Sequence, residues 1–231
     1  MNTTTDTRQL HWDGCLNVRD LGGLPTADGE RTRPRAVVRA DNLDRLTAEG
    51  HAALVAYGIR TVVDLRDATE HRPLLPLDGA VRLVRVPFDE LAGAAWWERY
   101  GHLDGTPLAF VPYLEHCAGA VLAMARAVAE AAPGGVVVHC GAGRDRTGLA
   151  ALVLLAAAEA EEAAVVADYR LSAANLRPLW RMLGRPDEQE AVEAALAKAG
   201  IGAPEALAAA LRVARQTLPA ELRAAVRARL R

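Results

Sequence analysis

Cysteine is scarce in this sequence of 231 residues, and its scarcity excludes two common uses of the residue. The three cysteines are Cys15, Cys117 and Cys140, an odd number that does not suit a framework of disulfide bonds. There is also no Cys-x-x-Cys pair, which is the spacing typical of zinc sites and dithiol redox sites. The useful question is therefore whether one of these cysteines acts as a nucleophile.

Lysine is almost absent, because Lys198 is the only one and arginine supplies the remaining positive charge. The formal net charge is -2, so no overall basic field draws the chain to nucleic acid or to an acidic membrane. We therefore expect no nucleic-acid partner. The arginine-rich composition also means that a single arginine carries little information without its context.

Long hydrophobic runs are lacking as well. No apolar stretch reaches the roughly 20 residues that a membrane-spanning helix needs. The alanine-rich run at residues 149–158 is followed at once by Glu159, Glu161 and Glu162. Residues 1–14 are polar and contain no apolar core of a signal peptide. We expect a soluble, monomeric, cytoplasmic protein, and export by a route without a signal peptide stays open.

The pattern that is present alternates short apolar runs with helical periodicity. This favours an α/β fold with a mostly parallel central sheet flanked by helices. Predicted strands, all rich in valine, isoleucine or leucine, cover residues 36–39, 61–65, 82–86 and 136–139. Between the first two strands, Thr47 is expected to cap a helix that Gly58 ends in the left-handed conformation.

Longer helices are predicted over residues 109–132, 146–159 and 161–174. Beyond Arg177 no strand is visible, and prolines and glycines punctuate three amphipathic helices. We expect a single domain over residues 1–231, with a core at about residues 10–176 and a helical C-terminal extension or lid at 177–231. The part expected to act as a lid is residues 179–199.

The most informative segment is residues 139–148, His-Cys-Gly-Ala-Gly-Arg-Asp-Arg-Thr-Gly, which follows an apolar strand and opens a helix. Gly141 and Gly143 let the backbone curl so that several N–H groups point inward and form an anion site. Arg146 closes the ring with a planar guanidinium that can hold two phosphate oxygens. We expect this positive field to favour the thiolate of Cys140, which would be a nucleophile aimed at a bound phosphorus.

This segment fits the His-Cys-x5-Arg-Thr/Ser signature, and the chain resembles the protein-tyrosine phosphatase superfamily. It is most similar to the bacterial group that includes the secreted mycobacterial type B enzymes, whose loop typically reads Cys-x-Ala-Gly-Lys-Asp-Arg-Thr-Gly. The chain departs from that group at Arg144, where lysine is usual, and at Ala40, where serine is usual. Matching segments also occur at residues 17–23, 39–43 and 64–66. The resemblance implies a phosphotyrosine-phosphatase-like fold.

The resemblance also implies a mechanism and a set of site residues. Cys140 would attack phosphorus, Arg146 would bind the phosphate, and Thr147 would donate a hydrogen bond to the cysteine sulfur. The substrate-binding residues that it implies are Gly141, Ala142, Gly143, Arg144 and Thr147. It implies no metal and no other cofactor, and the substrate would be a phosphorylated protein or a phospholipid headgroup.

The general acid has two candidates. Asp145 lies in the loop and matches the bacterial group, which makes it the first choice. Asp89, in Pro87-Phe88-Asp89 after the strand at 82–86, resembles the mobile acid loop of other tyrosine phosphatases. Its plainer interpretation is a solvated loop residue.

Two other functions compete with phosphatase activity. One is different anion chemistry on the same loop, either sulfur transfer or arsenate reduction. The other is a catalytically silent phosphate-binding module, against which the presence of Cys140, Asp145 and Arg146 argues. The sequence leaves open whether the substrate carries phosphotyrosine, phosphoserine or phosphothreonine, or is a phosphoinositide.

Several residues outside the loop are expected to support it. Asn17 and Arg19 are interpreted as a second tier behind the phosphate loop, and His139 as a residue that orients the loop by a hydrogen bond. For Asp64 and Arg66, a local ion pair is the favoured interpretation. Trp96 and its neighbour Trp97 fit either a substrate wall or packing on the core.

Overall fold

A computed structural model describes residues 7–71 and 81–231, so residues 1–6 of the polar start of the chain lie outside the described part. The strands of its central sheet are β1 (Arg19–Asp20), β2 (Val37–Ala40), β3 (Ile59–Asp64), β4 (Arg82–Arg85) and β5 (Gly135–His139). Their order is β1-β2-β5-β3-β4, and every neighbouring pair is parallel except β1 with β2. The mostly parallel α/β sheet is therefore confirmed.

Helices surround this sheet. They are α1 (Ala48–Tyr57), α2 (Phe88–Ala92), α3 (Ala94–Tyr100), α4 (Phe110–His116), α5 (Ala118–Ala129), α6 (Arg146–Ala157), α7 (Glu162–Met182), α8 (Glu188–Lys198), α9 (Ala203–Thr217) and α10 (Ala220–Leu230). Short 3₁₀ turns lie at Leu43–Arg45, Ala68–Glu70, Gly101–Leu103 and Pro107–Ala109.

The valines of β5 show how the sheet separates two cores. Val136 and Val138 face the larger core, which α5, α6, α9 and α10 complete, whereas Val137 faces a smaller core that includes Leu54 of α1. This is the two-residue alternation of a strand that is buried on both faces. The sheet is thus covered on both sides, and the free space for a site lies at its ends.

The predicted start and end of α1 are confirmed. The Thr47 hydroxyl accepts a hydrogen bond from the Gly50 amide at 3.2 Å. Gly58 ends the helix with a φ of 100°, a conformation that glycine adopts without strain.

The single helix predicted over residues 109–132 was wrong. The structure divides it into α4 and α5, which meet at Cys117 with a bend of 94°. The two parts pack on different neighbours, α4 on α9 and α5 on α10, so each buries its own apolar face. Tertiary packing therefore overrides a continuous helical pattern.

The C-terminal helices lie in different surroundings. α7 continues through Pro178 to Met182, so the boundary expected after residue 176 falls inside a helix. Leu207 and Leu211 of α9 belong to the main core, as does Val226 of α10. In contrast, α8 packs in a small satellite cluster with Leu108, and whether it moves as a lid stays a prediction.

Among the described residues, no single helix is both long enough and apolar enough to cross a membrane. Two consecutive pairs reach that length and composition only when they are joined across a sharp bend, α4 with α5 and α8 with α9.

Candidate active site

The predicted loop connects β5 to α6 at the carboxyl end of the sheet, where parallel strands place their ligands. Cys140 follows β5 directly and is 3% exposed. Gly143 has a φ of 70°, and a Cβ atom there would lie 2.5 Å from the Ala40 carbonyl oxygen. Only glycine fits this close approach between the loop and β2. The sequence prediction of a curled loop here is consistent with this geometry.

Three consecutive carbonyl groups, those of residues 141–143, are held by hydrogen bonds from behind the loop. The donors are the Asn42 amide to Gly141 (3.0 Å), Asn17 Nδ2 to Ala142 (3.0 Å) and Gly143 (3.2 Å), and Arg39 Nη2 to Gly143 (2.7 Å). Because the C=O and N–H of a planar trans peptide point in opposite directions, the amides that follow these carbonyls turn to the other side. That side is where an anion would bind.

Asp168 of α7 fixes the side chains that hold the loop. Its buried carboxylate binds Arg39 at 2.6 Å, Arg19 at 3.0 Å and Arg8 at 2.9 Å. Arg19 in turn donates to the Asn17 side-chain oxygen at 2.6 Å. Burial raises the pKa of Asp168, but Arg19 and Arg39 outweigh that effect and hold the pKa well below its usual range.

The sequence reasoning placed Asn17 and Arg19 behind the loop but missed Arg39 and Asp168. A signal was available, because Asp168 lies on the buried face of α7 with Val165 and Ser172. An acid on the apolar face of an amphipathic helix needs a cationic partner.

Arg146 begins α6 and faces two carboxylates. Its two Nη atoms bind the two oxygens of Glu70, one of them at 2.8 Å, and Nη1 also lies 2.9 Å from Asp89 Oδ2. The hydrogen bond from Arg146 is the main cause that lowers the pKa of Glu70. Glu70 lies in the 3₁₀ turn that follows β3. It was not identified as a site residue from the sequence.

The same carboxylates have the spacing of a metal site. Oxygens of Asp67, Glu70 and Asp89 lie within 4.8 Å of one another. Arg146 already binds two of the three, so a guanidinium compensates this acidic group. In this structure the positive charge beside the three carboxylates comes from Arg146.

Asp89 lies in the first turn of α2, and the pKa of its carboxyl group is above the usual range. Burial raises its pKa to about 6, Arg146 opposes that rise, and Asp67 adds to it. A carboxyl group of this kind holds a proton closer to neutral pH than an ordinary aspartate does. The plain interpretation of Asp89 as a solvated loop residue does not describe this environment.

Asp145 has a different environment. Both of its oxygens accept hydrogen bonds from Arg144, at 3.1 and 3.2 Å. Arg144 is almost completely buried and also donates to the Gly105 carbonyl and, at 3.1 Å, to Glu188 of α8. The loop arginine therefore connects the proposed acid to the C-terminal helices.

An aromatic slot adjoins these acids. Phe88, Trp96, Trp97 and Tyr113 line it together with Asp89, Asp145 and Arg146. Trp97 is anchored by a 2.9 Å hydrogen bond from its Nε1 to the Asp89 carbonyl. Trp96 packs edge-on against Tyr113 at 5.5 Å between ring centroids. The tryptophans thus pack on the core and also form a wall of the site.

His139 contacts the backbone of the loop, whereas the Thr147 hydroxyl forms no hydrogen bond within the described residues. The Nδ1 atom of His139 lies 3.4 Å from the Cys140 carbonyl oxygen, and burial lowers its pKa to about 4. His139 is therefore neutral and suited to orient the loop. The Thr147 hydroxyl is buried without a hydrogen-bond partner among the described residues, so the expected bond to the Cys140 sulfur is not formed in this structure.

The remaining predictions concern supporting groups. Arg66 donates to Asp64 at 2.8 Å and binds Asp44 as well, which is the local ion pair favoured from the sequence. Burial raises the pKa of Cys117 to about 11 and also raises that of Cys15. Neither thiol is activated as a nucleophile.

The fold and the loop together define an α/β protein with a buried cysteine at the start of a glycine-containing loop between β5 and α6. A family model described as "Tyrosine phosphatase family" matches residues 10–226. The chain belongs to the tyrosine phosphatase family. The narrower resemblance to the mycobacterial type B group stays a prediction.

The names of two curated relatives are consistent with membership of this family. A Cupriavidus necator protein, provisionally named a tyrosine-protein phosphatase, is 30% identical over 201 residues, covering 76% of this chain and 68% of that protein. A Nostoc commune tyrosine-protein phosphatase is 32% identical over 145 residues, covering 60% of this chain and 48% of that protein. The chain thus aligns with less than half of the Nostoc commune protein.

Proposed function

We propose that this protein hydrolyses phosphomonoesters through a cysteinyl-phosphate intermediate on Cys140, and that it acts as a tyrosine phosphatase. The observation that carries the proposal is the loop at residues 140–146. It joins a buried cysteine to Arg146, and its backbone carbonyls are held away from the anion side by Asn17 and Arg39.

The first step forms a bond from the Cys140 sulfur to phosphorus and breaks the bond from phosphorus to the leaving oxygen. Inward amides and Arg146 are the groups that would stabilise charge on the phosphoryl oxygens. An aspartic acid gives its proton to the leaving oxygen, which departs as an alcohol or phenol. The resulting carboxylate then takes a proton from water, whose oxygen attacks phosphorus and releases the cysteine and inorganic phosphate.

Asp145 is the proposed acid, by its position in the loop. Asp89 is the second candidate, and a specific observation favours it, namely the pKa raised to about 6 beside Arg146. Donation by Asp145 requires that its pair with Arg144 loosen first. The two carboxyl groups line the same aromatic slot, so either one approaches a leaving group bound there.

The aromatic slot supports phosphotyrosine as the substrate group, because the partly exposed ring of Trp97, backed by the buried Trp96, offers aromatic surface to a phenol ring. Activity on phosphoserine, phosphothreonine or phosphoinositides is the broader alternative. Arg144 gives no support to that alternative, because its guanidinium is engaged by Asp145 and Glu188.

Phosphate release from a small aryl phosphate tests the proposal, followed by a panel of phosphopeptides and phosphoinositides under one set of conditions. We expect release from the aryl phosphate, and faster turnover of phosphotyrosine peptides than of the other substrates. Binding of phosphate without release would instead identify a silent module. Arsenate reduction or sulfur transfer without phosphate release would identify different anion chemistry.

A further inference from the structure

A large cleft lies between α7 and α8 and reaches Arg144 of the loop. Its volume is about 550 Å³, within the range of small-molecule sites. It is lined by Arg144, Arg170, Arg177, Val192, Leu196 and Gly202, among others, and neither Cys140 nor Arg146 contributes to it. We refer to it as the α7–α8 cleft.

The charge of the cleft is opposite to that of the whole chain. Arg144, Arg170 and Arg177 line it together with a single acid, Glu193, whereas the chain has a net charge of -2. Arg170 has no ion-pair partner among the residues that the structure describes. Arg177 is 58% exposed and lies 3.5 Å from Asp187, which makes a weak, screened pair. Two of the three guanidinium groups are thus accessible to an added anion.

Tyr169 provides an independent indication of a ligand. Its side chain lines the cleft and is 7% exposed, and its hydroxyl has no hydrogen-bond partner among the described residues. A buried hydroxyl that lacks a partner is unfavourable, and such groups in native proteins usually find an acceptor or a donor. An anionic oxygen beside Arg144 would supply the acceptor.

The shape and the lining residues indicate which kind of ligand the cleft would bind. Ala173 and Ala174 separate Arg170 from Arg177 on α7, so the floor between the two cations is open. Val192 and Leu196 of α8 give the opposite wall an apolar character. A phosphate group on a small apolar body suits both features, because guanidinium groups bind phosphate oxygens in pairs.

We propose that the α7–α8 cleft is a second anion subsite, which binds a phosphate group carried on an apolar body. The inference goes beyond the hydrolysis at Cys140, because the cleft contains neither Cys140 nor Arg146 and shares only Arg144 with the loop. The two sites are nevertheless connected. Arg144 contributes to the cleft and also binds Asp145, so an anion that draws Arg144 into the cleft loosens the proposed acid.

Calorimetry with benzylphosphonate tests this subsite, because that probe is a phosphonate on an apolar ring and is not hydrolysed. The wild-type protein is first given a slight excess of vanadate, which fills the Cys140 loop. We expect one remaining site for benzylphosphonate, and we expect its affinity to fall at least about tenfold in the double variant Arg170→Ala/Arg177→Ala. Both arginines are exposed, so that variant should keep the wild-type melting temperature.

Arg181→Ala is the matched control, because Arg181 is an exposed arginine of α7 outside the cleft. We expect it to bind benzylphosphonate as the wild type does. Absence of a second site in the vanadate-filled wild type would overturn the proposal, and so would equal affinity in the double variant. Failure of vanadate to bind at all would instead count against the proposed function and leave the cleft measurable.

The phosphate in the cleft has two possible sources, which kinetics separates. If it is a second phosphate on the substrate, a doubly phosphorylated peptide has a lower KM than its singly phosphorylated form, and the double variant removes the difference. If it belongs to a separate molecule, the two peptides have equal KM values and benzylphosphonate changes kcat for both. Either result supports the subsite, whereas purely competitive inhibition by benzylphosphonate that is identical in the double variant contradicts it.

Discussion

The Arg39 guanidinium donates a 2.7 Å hydrogen bond to the carbonyl oxygen of Gly143 in the loop. The other end of the same guanidinium binds the buried carboxylate of Asp168 at 2.6 Å. One side chain therefore connects helix α7 to the backbone of the anion site. Asp168 is buried and cannot contact a substrate, but through Arg39 it helps to fix the conformation of the loop.

Asp168→Asn should weaken the anion site as well as the fold. The change leaves Arg19 and Arg39 buried without their counter-charge, which costs about 3–5 kcal/mol of stability when one partner of a buried pair is removed. We expect a lower melting temperature and weaker binding of vanadate by the folded protein. Arg8→Gln is the control, since Arg8 binds Asp168 and the Asp20 carbonyl, whereas Arg39 binds Asp168 and the Gly143 carbonyl of the loop. It should lower stability and leave vanadate affinity intact, and equal vanadate affinity in Asp168→Asn would show that the network has no positioning role.

Asp145→Asn should reduce turnover strongly for alkyl phosphates and much less for aryl phosphates with good leaving groups. Protonation by the acid matters most when the leaving oxygen is basic. A series of leaving groups measured on Asp145→Asn and on Asp89→Asn separates the two candidates. If only Asp89→Asn shows the steep dependence, Asp89 is the acid and the assignment from the loop is wrong.

The raised pKa of Asp89 has its own consequence for pH dependence. Asp89 is neutral below about pH 6 and becomes a carboxylate as the pH rises through that value, 2.9 Å from Arg146. Whichever aspartate is the acid, the ionised form of Asp89 pairs with Arg146 and leaves that guanidinium less available to phosphate. We therefore expect kcat/KM to fall on the alkaline side with an apparent pKa near 6. Asp89→Asn should remove this limb, and an unchanged profile in the variant would show that ionisation of Asp89 is not its cause.

Residues 179–199 should gain protection from hydrogen exchange when vanadate binds. The end of α7 already contacts the loop, because Leu179 and Trp180 pack with Ala142, whereas Met182 and Leu183 are exposed. A lid must bury apolar groups when it closes, and the exposed pair is available for that. Identical exchange with and without vanadate would mean that the segment is a static cap.

The loop could be predicted from the sequence because its informative residues are contiguous and its strand-to-helix context is local. Asp168 and Glu70 could not be assigned in the same way, because each reaches the site from a distant segment and only the fold brings it there. The break at Cys117 was missed for a similar reason, since no proline or glycine at that position stops the helix. What bends the chain there is packing on α9 and α10, which a local pattern does not contain.

The central claim is that Cys140 carries the phosphoryl group during turnover. The most direct measurement is rapid acid quenching during hydrolysis of an aryl phosphate, followed by peptide mass spectrometry. We predict a phosphate adduct on the Cys140 peptide of the wild type. Cys140→Ser should give no adduct and no turnover while still binding vanadate, because the amides of the loop are unchanged. Turnover of Cys140→Ser near the wild-type rate, or an adduct on another residue, would contradict the account.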